Sequence, residues 1–261
     1  RKTFLRLESS STKLVARLPG TKKPLIISHR GASKNAPENT MAAYNLAWEL
    51  NSDGIELDIR ETADKKIVCS HDDDLFRVSN KKLKISNLKH SQLKKIDVGS
   101  WKDKKYIQEE IPLLKDVLSN IPTNKKVFIE IKYHLQKSKK LIKIIESNIK
   151  FSQCHFLCFS PEIIKKLNAK APSIKATLNL RPDDFDNNLN KITKIIKKSK
   201  SYGVSLQIRS VKDVTLVKEI KSLGFYCLAW TVNHKTLIKN LIKTKVDGII
   251  TDDPEKANYI I

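Results

Sequence analysis

Seven glycines and nine prolines in 261 residues are too few for a fibrous or low-complexity chain, and a 40% hydrophobic share suits one large core. Arginine is scarce: eight of the fifty basic residues, against forty-two lysines, in a chain that is 7% aromatic. Selective nucleic-acid readers lean on arginine forks and stacked aromatics, so nothing here requires a nucleic-acid partner. The formal net charge of +22 reads instead as lysine spread over solvated faces. That field still favours anionic partners, phosphates and an anionic membrane surface touched peripherally among them. No run approaches eighteen apolar residues, which excludes a membrane-spanning helix. Cysteine is limited to Cys69, Cys154, Cys158 and Cys227, with no further soft ligands at zinc spacing. They read as core thiols and give the expectation of a reducing, cytoplasmic setting. The first residue is Arg1, not Met, and a removed leader would leave the same sequence. No feature fixes an oligomeric state.

What the chain does contain is an alternation. After a basic, serine-bearing lead-in, Pro24 to Ser28 forms an apolar run that ends at His29-Arg30-Gly31 and reads as a strand feeding a loop. Thr40 stands where it can cap a helix with Met41, Ala42, Leu46, Ala47 and Leu50 on one face. Further short β-branched or aromatic runs are Gly54 to Ile59, Ile67 to Ser70, Val127 to Ile131, Phe156 to Phe159, Ile174 to Leu178, Val204 to Ile208, Phe225 to Thr231 and Gly248 to Thr251. Lysine-rich stretches of helical spacing separate most of them, a pattern that predicts parallel α/β packing. The count is nine, one more than a closed barrel needs. Only seven residues lie between Ile59 and Ile67, too few for a parallel crossover. Ile67 to Ser70 is therefore predicted to be a hairpin return from the second strand. Polar residues at the carboxyl ends of several strands favour a TIM (β/α)8 barrel over a doubly wound sheet. The expected organisation is one domain over residues 1–261: a basic extension at 1–23, a catalytic barrel at 24–254, and an inserted segment at 74–112 bordering the substrate cleft, weakly helical from Leu88 to Ile96.

Glu56 and Asp58 are two apart in a strand, so both face one side while Ile55, Leu57 and Ile59 face the other. Glu130 and Lys132 repeat the pattern at the end of a later strand. Three carboxylates on one rim make an oxygen-ligand site for a hard cation. The same spacing also suits a buried ion-pair network between Lys132 and the acids, and both readings stand. His29 ends the first strand beside Arg30, His71 follows the hairpin strand beside Asp72, and imidazoles there suit proton transfer. Arg30 offers a planar fork for phosphate. Trp230, at a strand end, is a candidate pocket wall or a packing residue. Glu38, in Pro37-Glu38-Asn39-Thr40, either bonds a catalytic group or holds its loop. His90, His134, His155 and His234 read as surface or turn residues, His134 being the one placed near the cleft.

In order along the chain, His29-Arg30-Gly31, Pro37-Glu38-Asn39-Thr40, Glu56-Leu57-Asp58, His71-Asp72, Glu130-Ile131-Lys132 and Asp247-Gly248-Ile249-Ile250-Thr251-Asp252 resemble the motifs of the glycerophosphodiester phosphodiesterase family of phospholipase-C-like barrels. The resemblance covers about Leu25 to Pro254. It implies that His29 and His71 are catalytic, that Glu56, Asp58 and Glu130 hold one divalent cation, Mg²⁺ or Ca²⁺, and that Arg30 and Lys132 contact phosphate. The implied reaction converts small deacylated glycerophosphodiesters to sn-glycerol 3-phosphate and an alcohol, with the glycerol 2-hydroxyl forming a cyclic phosphate that water opens. Two rivals remain. A lysophospholipase-D-like enzyme would need a greasy groove, for which Phe76, Ile85, Leu88 and Trp101 are candidates; a basic surface-binding protein on a barrel scaffold would need no metal.

Overall fold

The computed structural model describes residues 23–132 and 138–261. In chain order the elements are β1 (Leu25–His29), α1 (Met41–Glu49), β2 (Gly54–Glu61), β3 (Ile67–Cys69), β4 (Asp74–Leu75), α2 (Phe76–Ser79), β5 (Lys81–Lys84), α3 (His90–Leu93), α4 (Leu114–Ser119), β6 (Lys126–Ile131), α5 (Ser138–Glu146) and β7 (Cys154–Cys158). They continue with α6 (Pro161–Lys170), β8 (Lys175–Leu180), α7 (Leu189–Ser199), β9 (Gly203–Gln207), α8 (Val211–Ser222), β10 (Tyr226–Trp230), α9 (Lys235–Lys243), β11 (Gly248–Thr251) and α10 (Pro254–Ile260). Eight strands pair in parallel in the circular order β1, β2, β6, β7, β8, β9, β10, β11, and β11 closes onto β1. This is the predicted barrel. Strand β3 runs antiparallel to β2, with Ile59 opposite Cys69 and Glu61 opposite Ile67, as the short connection requires.

Strand alternation sorts the side chains into two cores. Ile26, Leu57, Ile129, Phe156, Val204 and Ile249 face outward into one large apolar cluster with the helices. Ile27, Phe128, Leu157, Leu228 and Ile250 face inward and fill the middle of the lumen. Each buried aliphatic chain contributes about 1.5–3 kcal/mol, which commits every strand to its register. The helices carry their own starts: Thr40 Oγ1 accepts from Ala43 N, Ser160 Oγ accepts from Ile163 N, and Ser210 forms a reciprocal box with Asp213.

The lower end of the lumen departs from expectation. His155 is 5% exposed and not a surface residue. It stacks between Phe128 at 5.1 Å and Tyr226 at 5.4 Å, while Lys175 lies 4.4 Å over the Tyr202 ring. His155 shares the inward phase of Leu157 and Phe159, and burial pushes its imidazole down to about 3, so it is a neutral packing ring. Strand β8 also extends past the predicted Leu178 to Leu180. Thr177 and Asn179 face in while Leu178 and Leu180 pack outward, and the polar inner face masked the continuation.

Residues 74–112 lie between β3 and α4 and build a small core of their own from Leu75, Ile85, Leu93, Ile96, Val98 and Ile111 against Val68. The helical pattern at Leu88 to Ile96 shortens to the single turn of α3.

Candidate active site

Seven of the residues singled out in the sequence meet at the carboxyl ends of β1, β2 and β6 and the loop after β3. His29 is the last residue of β1. The backbone then turns through Arg30 at φ 57° and Gly31 at φ 82°, a left-handed pair. A Cβ on Gly31 would lie 2.6 Å from the backbone and side chain of Ala43, so the turn needs glycine. The strained Arg30 is held by its own contacts: its N–H donates to Glu56 Oε2 at 3.0 Å, Nη1 to Glu38 Oε1 at 2.7 Å, and Nε lies 3.3 Å from Asp58 Oδ2.

Glu56, Asp58 and Glu130 are buried, and one oxygen of each falls within 4.8 Å of the others. Lys132 Nζ reaches Glu130 Oε1 at 2.5 Å and Asp58 Oδ1 at 3.2 Å, so the ion pairs allowed by the sequence do form. They do not satisfy the set. Glu56 Oε1 is buried without a hydrogen-bond partner, and Glu130 Oε1 faces the Lys132 ammonium. Burial, reinforced by repulsion from Asp58 and Glu130, pushes Glu56 well above the usual carboxylate range, and Glu130 rises for the same reasons. Burial also acts to raise Asp58, but Lys132 and Arg30 outweigh it and hold that carboxyl low. Asn39 fixes Asp58 from both sides, donating Nδ2 to Oδ2 at 2.9 Å and accepting the Asp58 N–H at 3.2 Å, with Tyr44 OH donating to the same amide oxygen. Three converging carboxylates against two cations, with orphaned oxygens and no nitrogen or sulfur donor, fit a hard divalent ion such as Mg²⁺ or Ca²⁺.

Both histidines have Nδ1 tied to a carboxylate. His29 Nδ1 is 2.6 Å from Asp252 Oδ1, and its Nε2 lies 4.0 Å from Glu56 Oε2. His71 Nδ1 is 2.7 Å from Asp72 Oδ1, and burial lowers the His71 imidazole below its usual value. Asp252 is itself gripped by Ser33 and Asn233; burial would raise it, but the bond to His29 and these neighbours bring it to about 2. Asp72 is held by Arg77 Nε at 2.7 Å, and the same guanidinium grips Glu38 at 2.5 and 2.8 Å.

A cavity of about 70 Å³ lies inside this rim, lined by the histidines, Glu56 and Glu130 on one side and by Leu157, Phe159, Asn179, Arg181, Ser205 and Trp230 on the other. Trp230 is thus a wall residue. It meets Phe159 edge-on at 5.7 Å and donates Nε1 to Ser205 O at 2.8 Å. An outer cleft of about 490 Å³ shares His29 and Arg30 and is edged by Trp101 and Lys102. His134 lies outside the described residues. Asp252, Arg77 and Asn39 were not foreseen as working parts. Asp252 follows Thr251, whose strand partner is Ser28, so barrel closure sets it beside His29.

A closed parallel α/β barrel with its ionisable groups at the carboxyl ends of the strands defines an enzyme of the TIM-barrel class. The chain matches the Glycerophosphoryl diester phosphodiesterase family over residues 29–256. It is 33% identical over 238 residues to a glycerophosphodiester phosphodiesterase of Caldanaerobacter subterraneus, covering 89% of this chain and 96% of that one. A phosphodiesterase of Oleispira antarctica, solved in complex with the product sn-glycerol 3-phosphate, superposes with a TM-score of 0.81 at 26% identity over 91% of this chain and 96% of that one. A Thermotoga maritima glycerophosphodiester phosphodiesterase shares the fold at 24% identity and a TM-score of 0.75, covering 93% of this chain and 100% of that one. The chain belongs to the glycerophosphoryl diester phosphodiesterase family and is a phosphoric diester hydrolase.

Proposed function

We propose that the enzyme cleaves deacylated glycerophosphodiesters to sn-glycerol 3-phosphate and an alcohol in two steps. The observation that carries this reading is the meeting of three carboxylates, two cations and two carboxylate-tethered imidazoles on one rim. A divalent cation held by Glu56, Asp58 and Glu130 would polarise the phosphoryl oxygens. Arg30 and Lys132 bind those oxygens and offset the charge that builds on them. One imidazole takes the proton of the glycerol 2-hydroxyl as that oxygen bonds to phosphorus, and the other protonates the departing alcohol as its P–O bond breaks. Water then attacks the cyclic phosphate with the two roles reversed. Because each Nδ1 is bonded to a carboxylate, Nε2 is the nitrogen that moves the proton. The neighbouring hydroxyl outcompetes bulk water by proximity.

The deacylated substrate is favoured over a lysophospholipid by the fate of the candidate groove. Ile85 is 1% exposed and packs, with Leu88, into the small core of residues 74–112, so of the four groove candidates only Phe76 and Trp101 remain exposed. We also propose a reducing compartment, on the four buried, unpaired thiols.

The test is to assay glycerophosphocholine, glycerophosphoglycerol and lysophosphatidylcholine with and without chelator, detecting sn-glycerol 3-phosphate. Chelation should abolish turnover of the first two, Mg²⁺ or Ca²⁺ should restore it, and Glu56→Gln should raise the metal concentration needed. Full activity in chelator would remove the metal from the reaction, and faster cleavage of the lysolipid would overturn the substrate assignment.

A further inference from the structure

The wall of the inner cavity opposite the carboxylates carries polar groups that the proposed chemistry does not use. In the circle of eight strands, β8 and β9 stand four places from β1 and β2. Asn179 on β8 and Ser205 on β9 are strand partners in register, 3% and 1% exposed, and both line the cavity shared with Glu56, Glu130, His29 and His71. Asn179 Oδ1 and Ser205 Oγ have no hydrogen-bond partner. Leu157, Ile250, Phe159, Trp230 and Arg181 complete that side of the cavity. Buried polar groups are nearly always paired, so two orphans in register on the wall of a ligand cavity mark a place where a ligand supplies the partner.

The chemistry of the two atoms narrows that partner. The Asn179 amide oxygen only accepts, while the Ser205 hydroxyl can donate or accept. An alcohol satisfies both with one group, donating its proton to Asn179 Oδ1 and accepting from Ser205 Oγ. An ester oxygen, with no hydrogen to give, cannot. The cavity of about 70 Å³ holds about five to seven waters at 10–15 Å³ each, room for a glyceryl group and not for an acyl chain.

We infer that Asn179 and Ser205 bind the free terminal hydroxyl of the substrate's glyceryl group and so are the residues that make the enzyme require an unacylated glycerol. The inference rests on the reaction proposed above: with phosphate on one terminal oxygen and the 2-hydroxyl used as nucleophile, the remaining terminal hydroxyl points away from the carboxylates toward this wall. The carbon chain between them passes the apolar side chains. A site that hydrogen-bonds a hydroxyl discriminates strongly against an analogue lacking it, because its polar groups are then buried unpaired.

The experiment compares the metal-loaded, full-chain enzyme on glycerophosphocholine and on its deoxy analogue, in which the terminal CH₂OH is CH₃ and the 2-hydroxyl is kept. Wild type should prefer glycerophosphocholine by about a hundredfold or more in kcat/KM. Asn179→Leu and Ser205→Ala should each shrink that preference at least tenfold, by losing rate on glycerophosphocholine rather than by gaining it elsewhere. Product inhibition of the wild type needs no variant and guards against misfolding: sn-glycerol 3-phosphate should bind at least tenfold tighter than propane-1,2-diol 1-phosphate. Equal rates on the two diesters with equal inhibition by the two products would mean that the orphaned atoms hold only water, and would overturn the inference while leaving the phosphodiesterase reading intact. Cleavage of neither diester would overturn both.

Discussion

His29 and His71 are each oriented by a carboxylate that reaches Nδ1, but the two carboxylates come from opposite ends of the chain. Asp72 is the immediate neighbour of His71, whereas Asp252 lies 223 residues from His29 and meets it because the last strand closes on the first. Asp252→Asn would keep the shape and remove the charge and the tautomer preference. It should lower kcat by about 10²- to 10⁴-fold with metal content unchanged, as read by single-turnover cleavage beside metal analysis. The same residue has a stability signature. Its carboxyl is held at about 2 against an ordinary 3.8, so its contribution is complete above that ordinary value and is lost as pH falls through about 2. Urea unfolding between pH 5 and 2 should therefore fall less steeply in Asp252→Asn than in wild type. At this scale the sequence reveals what alternation reveals: Glu56, Asp58, Glu130 and Lys132 stand at period two in apolar strands, and their common face follows. Asp252 and Asn179 stayed hidden because their importance depends on which strand lies beside or across from theirs, and periodicity carries no such information. His155 was misread because its polar identity outweighed its inward phase.

Between elements, the decisive contact is Arg77 in α2. One guanidinium joins Glu38, in the loop before α1, to Asp72, which holds His71. Burial would raise the Glu38 carboxyl, and Arg77 with Arg30 keeps it below the usual range instead. Arg77 is thus a positioning residue that fastens the segment after β3 to both sides of the cleft. Arg77→Met should reduce kcat by about tenfold or more with KM less affected, shift the pH profile of kcat by loosening the His71–Asp72 pair, and leave far-ultraviolet circular dichroism unchanged. Arg77→Lys should recover only part of the rate, since an ammonium cannot bridge two carboxylates with a planar fork. The antiparallel return of β3 was legible because seven residues cannot make a crossover. The clamp was not, since Leu75-Phe76-Arg77 gives no sign of which acids Arg77 will meet after the chain has folded back.

The chain carries a formal net charge of +22, and its family acts on an anionic diester. Raising ionic strength from about 0.01 to 0.15 M shortens the screening length from about 30 to 8 Å. For the monoanionic glycerophosphoglycerol, kcat/KM should drop severalfold over that range with kcat steady, while the zwitterionic glycerophosphocholine should change little. The eightfold closure was foreseeable from the number and spacing of apolar runs, because a parallel sheet with helices between its strands has few ways to end.

The stack of Phe128, His155, Tyr226 and Tyr202 under Lys175 gives the lumen a floor. The reaction chamber is therefore blind at that end, and traffic passes over its rim, where one cleft beside His29 and another beside His71 both meet it. In the two-step reaction proposed above, the freed alcohol and the hydrolytic water share that rim. An alcohol supplied in excess should then compete with water for the cyclic ester and regenerate the diester, so the split between going forward and going back should follow the ratio of the two at the rim.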